Sequence, residues 1–266
     1  MSYELEVRLS FFLLILVTVS LWELLAPMRR LKISKQTRWI NNLLLVFLNT
    51  LLLRLIFPTA AVGVAVFCQH YNLGLLNITA IPIWLKVLIA FLVLDFTIYL
   101  QHVLFNYLPL LWRFHKAHHI DLDYDMTTGL RFHPVEIFLS MLIKFMIVFL
   151  VGAPVSAVII FEIVLNGTSL FNHGNIRLPR YFDKFLRLFM VTPDTHRVHH
   201  STIPKETNSN FGFNLIWWDK LMGTYLAQPK KGHIDMDIDL SEYTDPKQTQ
   251  NLIKVTWQTN ISMIKQ

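Results

Sequence analysis

The histidines of this chain occur in clusters whose spacing suits metal binding. The pattern HxxHH occurs twice, as HKAHH at 115–119 and as HRVHH at 196–200, and further histidines lie between the two copies. Neutral imidazole is the commonest protein ligand for first-row transition metals, and helix residues four apart share a face. Each copy therefore directs at least two imidazoles to one side. The candidate ligands in this stretch are His115, His118, His119, His133, His173, His196, His199 and His200.

The number of clustered histidines indicates two metal ions, because one metal takes about four to six ligands. Imidazole-rich sites suit iron, zinc, copper or nickel, and the residue types alone do not choose among them. Cys68 is the single cysteine and lies in an apolar stretch far from the histidines. This excludes an iron–sulfur cluster and a disulfide framework within the sequence.

The composition predicts an all-α integral membrane protein. Hydrophobic residues make up 53% of the sequence and the mean hydropathy is +0.43, both high for a soluble fold. Stretches long enough for a hydrocarbon core of about 30 Å are found at 10–26, 43–67, 83–104 and 135–165. We expect one domain over 1–266, with about four transmembrane or re-entrant helices. A cytosolic helical cap would carry the histidines, in site regions 102–134 and 166–240.

The last apolar stretch, 135–165, contains a helix-breaking sequence at Gly152, Ala153 and Pro154. Each half is short for a full crossing. The stretch is therefore either a hairpin that enters and leaves by the same face, or two steeply kinked spans. Lys144 and Glu162 lie in opposite halves, and their opposite charges predict an ion pair across the hairpin.

The distribution of basic residues predicts the orientation. The link between the first two spans contains Arg29, Arg30, Lys32, Lys35 and Arg38, whereas residues 68–82 contain no lysine or arginine. Basic loops stay in the cytoplasm, so every histidine cluster is expected on the cytoplasmic face of a multi-pass protein. The same loops explain the net charge of +6, and no nucleic-acid-binding module is visible.

Polar residues near the end of the third span share one helical face with a further histidine. Asp95, Tyr99 and His102 are spaced four and three residues apart. An ionisable residue inside a membrane helix is a functional candidate by default. We expect Asp95 and Tyr99 to support the metal ligands, with Asp95 accepting the second ring N–H of a ligand histidine. The alternative for Asp95 is a purely structural hydrogen bond.

Three aspartates alternate after the first HxxHH pattern, at Asp121, Asp123 and Asp125. The glycine and glutamate that a calcium loop of the EF-hand type requires are missing. We expect these carboxylates either to support the metal ligands or to cap the loop. Arg113 and Arg131 are either their partners or a docking surface for an acidic electron donor.

In these motifs and their order, the chain resembles the fatty acid hydroxylase and sterol desaturase superfamily of membrane di-iron enzymes. The resemblance runs from Asp95 to about Tyr225, through DFTIYLQH, LLWRFHKAHH, TTGLRFHPVE, FNHGNIRLP, TPDTHRVHHS and NSNFGFNLIWWDKLMGTY. It implies a four-helix membrane stem with a cytosolic cap and two iron ions. It also implies O2-dependent hydroxylation or desaturation of a lipid, such as a sterol-like or fatty acyl substrate.

The resemblance also assigns metal ligands residue by residue. His102 matches the first histidine box, the two HxxHH patterns match the second and last boxes, and His173 matches an intervening box. His133 in RFHP matches a recurrent histidine of such proteins. The first box departs from the family, because HVLFN places Asn106 where a second histidine is usual. An amide oxygen binds metal more weakly than imidazole does.

The sequence also bears on partners and on other functions. No GxGxxG dinucleotide fingerprint occurs, so a separate electron-donor protein of the cytochrome or ferredoxin type is expected. A histidine-rich metal transporter or sensor is one alternative, although transport would place ligands near the bilayer midplane. A zinc-dependent lipid hydrolase is another, although HExxH is absent.

Overall fold

The computed structural model describes residues 2–57, 59–238, 240, 245 and 249. Within these residues regular structure is helical, with no strand beyond two isolated bridges, and the all-α prediction is confirmed. The long helices are α1 Ser2–Leu25, α2 Lys35–Ile56, α3 Ala61–His70, α4 Ile83–Tyr107, α5 Pro109–His119, α6 Pro134–Val151 and α7 Val155–Asn172. Shorter helices follow as α8 Arg180–Leu186, α9 Pro193–His199, α10 Pro204–Thr207, α11 Trp217–Met222 and α12 Gly232–Asp235, and a 3₁₀ helix spans Met126–Leu130.

Five segments of the described chain are long and apolar enough to cross a membrane. They are α1, α2 with α3, α4, α6 and α7. Large apolar side chains on their outer faces are exposed, for example Leu14, Phe47 and Leu55. Exposed apolar area of this extent fits contact with lipid rather than water.

The expected fourth span is two helices, which corrects the prediction that each half of 135–165 is short for a crossing. Helix α7 continues to Asn172, seven residues past the predicted end, so α6 and α7 have 18 residues each. At 1.5 Å per residue each is about 27 Å long, close to the thickness of a hydrocarbon core. Gly152 ends α6 with a left-handed φ of +66°.

The expected second span, 43–67, begins earlier and is interrupted. Helix α2 starts at Lys35 and ends at Ile56, and α3 starts at Ala61. Phe57, which follows α2 and precedes a proline in the sequence, has the extended backbone that a residue before proline favours. Phe57 packs against Phe138 and Phe145 of α6, with ring centroids 5.4 and 5.1 Å apart.

A second glycine, Gly74, packs against the backbone of the α6–α7 turn. A side chain at Gly74, whose φ is +88°, would place its Cβ 2.3 Å from the backbone nitrogen of Gly152. The neighbouring N–H groups of Leu75 and Leu76 donate to Leu150 and Val151 at 3.0 and 2.8 Å. We call this the far end of the bundle.

At the opposite end, which we call the site end, α1, α4 and α7 finish and α2 and α6 begin. Buried Arg38 of α2 pairs there with Asp121 at 2.7 Å and with Asp125. Arg131 contributes to the lowered pKa of Asp121, as one of the two alternatives for Arg113 and Arg131 predicted, but the ion pairs of Asp121 and Asp125 are made by Arg38, which was not predicted. The loop-capping prediction is confirmed, because Asp125 accepts the backbone N–H of Thr127 at 2.8 Å.

Candidate metal centre

Four chain segments bring histidines together at the site end. His102 lies in the last turns of α4, and His173 caps the end of α7. The two HxxHH patterns lie at the ends of α5 and α9. Proline at the first position starts both short helices, and a capping box between Thr192 and Thr195 starts α9.

The eight histidines form two groups of four, and all eight are buried. Within each group one ring nitrogen from every member lies within 4.8 Å of the others. We name them group A and group B. Group A contains His102, His115, His119 and His199, and group B contains His118, His173, His196 and His200.

The nitrogen atoms inside each group are arranged as metal ligands would be. In group B, Nε2 of His173 lies 3.1 Å from Nε2 of His118 and 3.0 Å from Nε2 of His196. A metal bound at about 2.1 Å to each nitrogen spaces neighbouring ligands by about 3.0 to 3.4 Å. Four Nε2 atoms of group A, and that of His200, are buried without a hydrogen-bond partner among the described residues. Both groups therefore fit a metal ion.

The opposite ring nitrogen of most of these histidines is held by an acceptor. Backbone oxygens hold Nδ1 of four rings: Phe211 holds His102 (2.7 Å), Arg131 holds His118 (3.2 Å), Ser169 holds His173 (2.7 Å) and Ser209 holds His199 (3.0 Å). Such contacts place the proton on Nδ1 and leave the Nε2 lone pair for a metal.

One histidine is hydrogen-bonded to a carboxylate. Nδ1 of His115 lies 2.7 Å from Oε1 of Glu136, and both side chains are buried. Glu136 is in the first turn of α6, three residues after His133. The sequence analysis missed Glu136, although a lone glutamate at the site end of an apolar helix was a signal for it.

Burial lowers the pKa of six of these imidazoles, which favours their neutral form. Removal from water, together with neighbouring histidines, lowers the pKa of His118, His119, His196 and His200 well below its ordinary value. Burial likewise lowers the pKa of His199 to about 3 and that of His173 to about 4. Neutral imidazole is the form that binds metal.

Two predicted ligands lie outside the two groups. His133 caps the start of α6, where its Nδ1 accepts the backbone N–H of Val135 at 3.1 Å. Buried Asn106 follows His102 by one turn, and its amide nitrogen donates to the backbone oxygen of His102 at 2.9 Å. Its Oδ1 has no hydrogen-bond partner in the described part of the chain.

Asp95 does not contact a histidine, so its expected role is corrected. Its Oδ2 accepts the indole N–H of Trp218 at 2.8 Å and the backbone N–H of Leu215 at 3.2 Å. Asp95 lies nearly two helical turns before His102, too far along α4 to reach the ring. It instead joins α4 to α11 and to the residues just before α11.

Asp219, which the sequence analysis also missed, supports His102 indirectly. Its carboxylate accepts the backbone N–H groups of Phe211 and Gly212, each at 2.8 Å. The Phe211 oxygen in turn holds His102. Tyr99 joins this network through Thr224, since its hydroxyl lies 2.9 Å from the Thr224 hydroxyl, which donates to Asp219 at 2.7 Å. Burial raises the pKa of Asp219 to about 6.

A cavity of about 370 Å³ extends from the histidines into the helical bundle. His102 and His115 of group A line it, together with Glu136, whereas no histidine of group B does. Apolar side chains such as Leu53, Ile98 and Phe105 form much of the wall. A volume of this size suits a small or slender apolar ligand.

Comparison with known proteins gives one family and several relatives. Residues 87–224, more than half of the chain, match the family model described as fatty acid hydroxylase. The chain is similar to ornithine lipid hydroxylase OlsE of Rhizobium tropici, 31% identical over 59% of this chain and 46% of that protein. Alkylglycerol monooxygenases of Xenopus tropicalis and Homo sapiens are 28% and 29% identical over 54% and 53% of this chain.

The matched region spans less than half the length of these relatives: 46% of the first, and 31% of each of the two alkylglycerol monooxygenases. No solved structure gives a significant match.

Proposed function

We propose, because the chain belongs to the fatty acid hydroxylase family, that it is a membrane-bound di-iron oxygenase that hydroxylates a lipid with O2. One observation carries the proposal: two adjacent groups of four buried histidines lie at the site end, and group A borders a largely apolar cavity between membrane-spanning helices. The family membership predicted from the histidine motifs is confirmed. Hydroxylation is favoured over desaturation, since the relatives are named hydroxylase and monooxygenase.

The proposed ligands are the eight histidines, with one iron ion in each group. Asn106 is proposed as a further oxygen donor near His102, directly or through water, because its buried Oδ1 has no partner in the described chain. His133 is left out of the set, because its Nδ1 caps α6.

Iron, when bound, supplies the reaction with O2 that breaks an unactivated C–H bond, which protein side chains alone do not perform. The residues of the chain have other tasks. The backbone acceptors and Glu136 hold the imidazoles in one orientation. The apolar wall admits a hydrocarbon chain and excludes water, which would otherwise quench a strong oxidant. His102 and His115 line the cavity, so group A lies next to the carbon to be oxidised.

The substrate is proposed to be a membrane lipid. The relatives are named for ornithine lipid and for alkylglycerol, two different lipid classes, so the shared feature is a lipid with a long apolar part. We further propose that the site end faces the cytoplasm, where the basic residues of 29–38 are expected. Electrons would come from a separate protein, since no dinucleotide fingerprint occurs in the sequence.

Elemental analysis of the purified protein tests the metal content. We expect about two irons per chain, falling to about one in His119→Ala, from group A, and to about one in His200→Ala, from group B. His233→Ala is the matched control, because His233 belongs to neither group. Zinc alone after anaerobic preparation with iron, or no loss in either variant, would contradict the proposal.

Lipid extracts of cells that produce the protein test the reaction. We expect a lipid heavier by one oxygen atom, labelled when the cells grow under ¹⁸O2 and absent with His119→Ala. A product without label, or one that the variant still makes, would contradict an oxygenase.

A further inference from the structure

The cavity is polar along one side. On α6, Glu136, Ser140 and Lys144 follow each other at four-residue intervals and all line the cavity. On α7, Glu162 and Asn166 line it as well. Residues four apart share a helical face, so a polar stripe runs along each helix from the site end towards the far end. A cavity that bound only a hydrocarbon chain would not need these polar side chains in its wall.

The stripes end in an ion cluster inside the membrane-spanning part. Lys144 donates to Oε1 of Glu162 at 2.9 Å, which confirms the ion pair predicted across the hairpin. Arg8 of α1 approaches Oε2 of the same carboxylate at 2.8 Å. Glu162 is 4% exposed, whereas Lys144 and Arg8 are 14% and 27% exposed. All three side chains line the cavity, with two cations to one carboxylate.

Lys144 has donor capacity for a ligand. An ammonium group has three N–H donors, and Glu162 is its one hydrogen-bond partner in the described part of the chain. Arg8 makes a further interaction in the structure, so Lys144 is the candidate donor to a ligand. A charge inside a membrane helix marks a functional site by default, and a cation that lines a cavity favours an anion in it.

We propose that the cavity binds a lipid whose oxyanion, a carboxylate or a phosphate, is held by Lys144, with Arg8 beside it. This inference rests on the proposed function for the chemistry at the other end. Eight residues separate Glu136 from Lys144 on α6, about 12 Å of helix. When the oxyanion is held at the ion cluster, this distance determines which carbon of the lipid lies beside His102 and His115.

Binding to iron-free protein tests the inference without any enzyme activity. The probes are tritiated decanoate, decyl phosphate, methyl decanoate and decylamine, which share a ten-carbon chain. We expect wild-type protein to bind decanoate or decyl phosphate about ten-fold or more tightly than methyl decanoate, and decylamine weakest. The better of the two anions identifies the source of the oxyanion.

Variants separate recognition from structural support. Lys144→Met should lose the preference for the anion while its affinity for methyl decanoate stays unchanged, and Lys144→Arg should keep the preference. Glu162→Gln should strengthen the preference for the anion, because the carboxylate that competes for Lys144 is gone. Lys86→Met, on α4 and outside the cavity wall, is the matched control.

Equal affinity of wild-type protein for decanoate, decyl phosphate and methyl decanoate would overturn the inference, even if Lys144→Met failed to fold. An unchanged preference in folded Lys144→Met would do the same and leave the cluster as a brace between α1, α6 and α7. The proposed function is tested separately: iron content and an ¹⁸O-labelled product can be present without anion preference, and anion preference can be present without either.

Discussion

Glu136 is the residue whose replacement tests the metal centre most directly. Its carboxylate accepts the Nδ1 proton of His115 at 2.7 Å, and both groups are buried. The contact fixes the tautomer whose Nε2 lone pair points into group A. In Glu136→Gln the charge is lost, and the amide can also turn and donate to Nδ1. That arrangement places the ring proton on Nε2, where it blocks a metal.

The expected loss follows from the strength of this contact. A hydrogen bond to a charged group contributes about 1.5–3 kcal/mol, and each 1.4 kcal/mol is about a factor of ten in affinity. Metal affinity at group A should therefore fall about 10- to 100-fold, the range typical when such a supporting carboxylate is removed. Group B should be spared, because Glu136 contacts His115 of group A, while backbone oxygens hold His118 and His173 of group B.

Competition with a chelator measures this loss. Protein loaded with metal is titrated with a chelator of known affinity, and the metal that stays bound is counted per chain. In Glu136→Gln one of two ions should leave at a lower chelator concentration than in wild type. Glu206→Gln is the control, since its buried carboxylate accepts the backbone N–H of Lys230 instead of a histidine. Equal retention in both variants, or loss of both ions together, would refute the reasoning.

Three further predictions concern the surroundings of the centre. Gly129→Ala should weaken metal binding at group B, because its Cβ would lie 2.6 Å from the Ser169 oxygen and 2.7 Å from the His173 ring. Gly167→Ala meets only the tip of Ile15 and should bind metal normally, so equal metal content in the two variants would contradict this. His133→Ala should lower the free energy of unfolding by about 1 kcal/mol through its lost cap, and His133→Asn should not. Both should keep both metals by elemental analysis, and metal loss from both would make His133 a ligand. Arg38→Met should lower the free energy of unfolding by about 3–5 kcal/mol, because two buried carboxylates lose the guanidinium that pairs with them. Exposed Arg54→Met is its control, and equal thermal unfolding of the two variants would be inconsistent with a buried ion pair.

The parts of the fold that local patterns determine could be predicted from the sequence. Apolar length located the spans, and Gly152 with the following proline located the α6–α7 turn. The number of crossings was not predicted, because α7 continues through polar residues to Asn172. Ser169 and Asn172 are buried there and donate to the backbone oxygens of Gly129 and Phe213. A hydropathy pattern does not contain that information.

The candidate ligands were predictable and their supports were not. Histidines at HxxHH spacing identify themselves, whereas a backbone oxygen that holds a ring leaves no trace in residue types. Asp95 was expected to hold a histidine because it shares a face with His102, but Trp218 reaches it from α11. Arg38 is distant in sequence from Asp121, so only the tertiary fold shows their ion pair.

The division of each HxxHH pattern between the two groups explains why the pattern occurs twice. In the first copy, His115 and His119 join group A and His118 joins group B. The second copy does the reverse, since His199 joins group A while His196 and His200 join group B.

On a helix the first and last histidines of the pattern lie 40° apart, and the middle one points about 100° away from the last. One copy therefore supplies two ligands to one metal and one to the other. Two copies facing each other supply three to each, and His102 and His173 bring each group to four. A single copy would leave both groups short of ligands, so this geometry links the repeated pattern to the two metal ions that we propose.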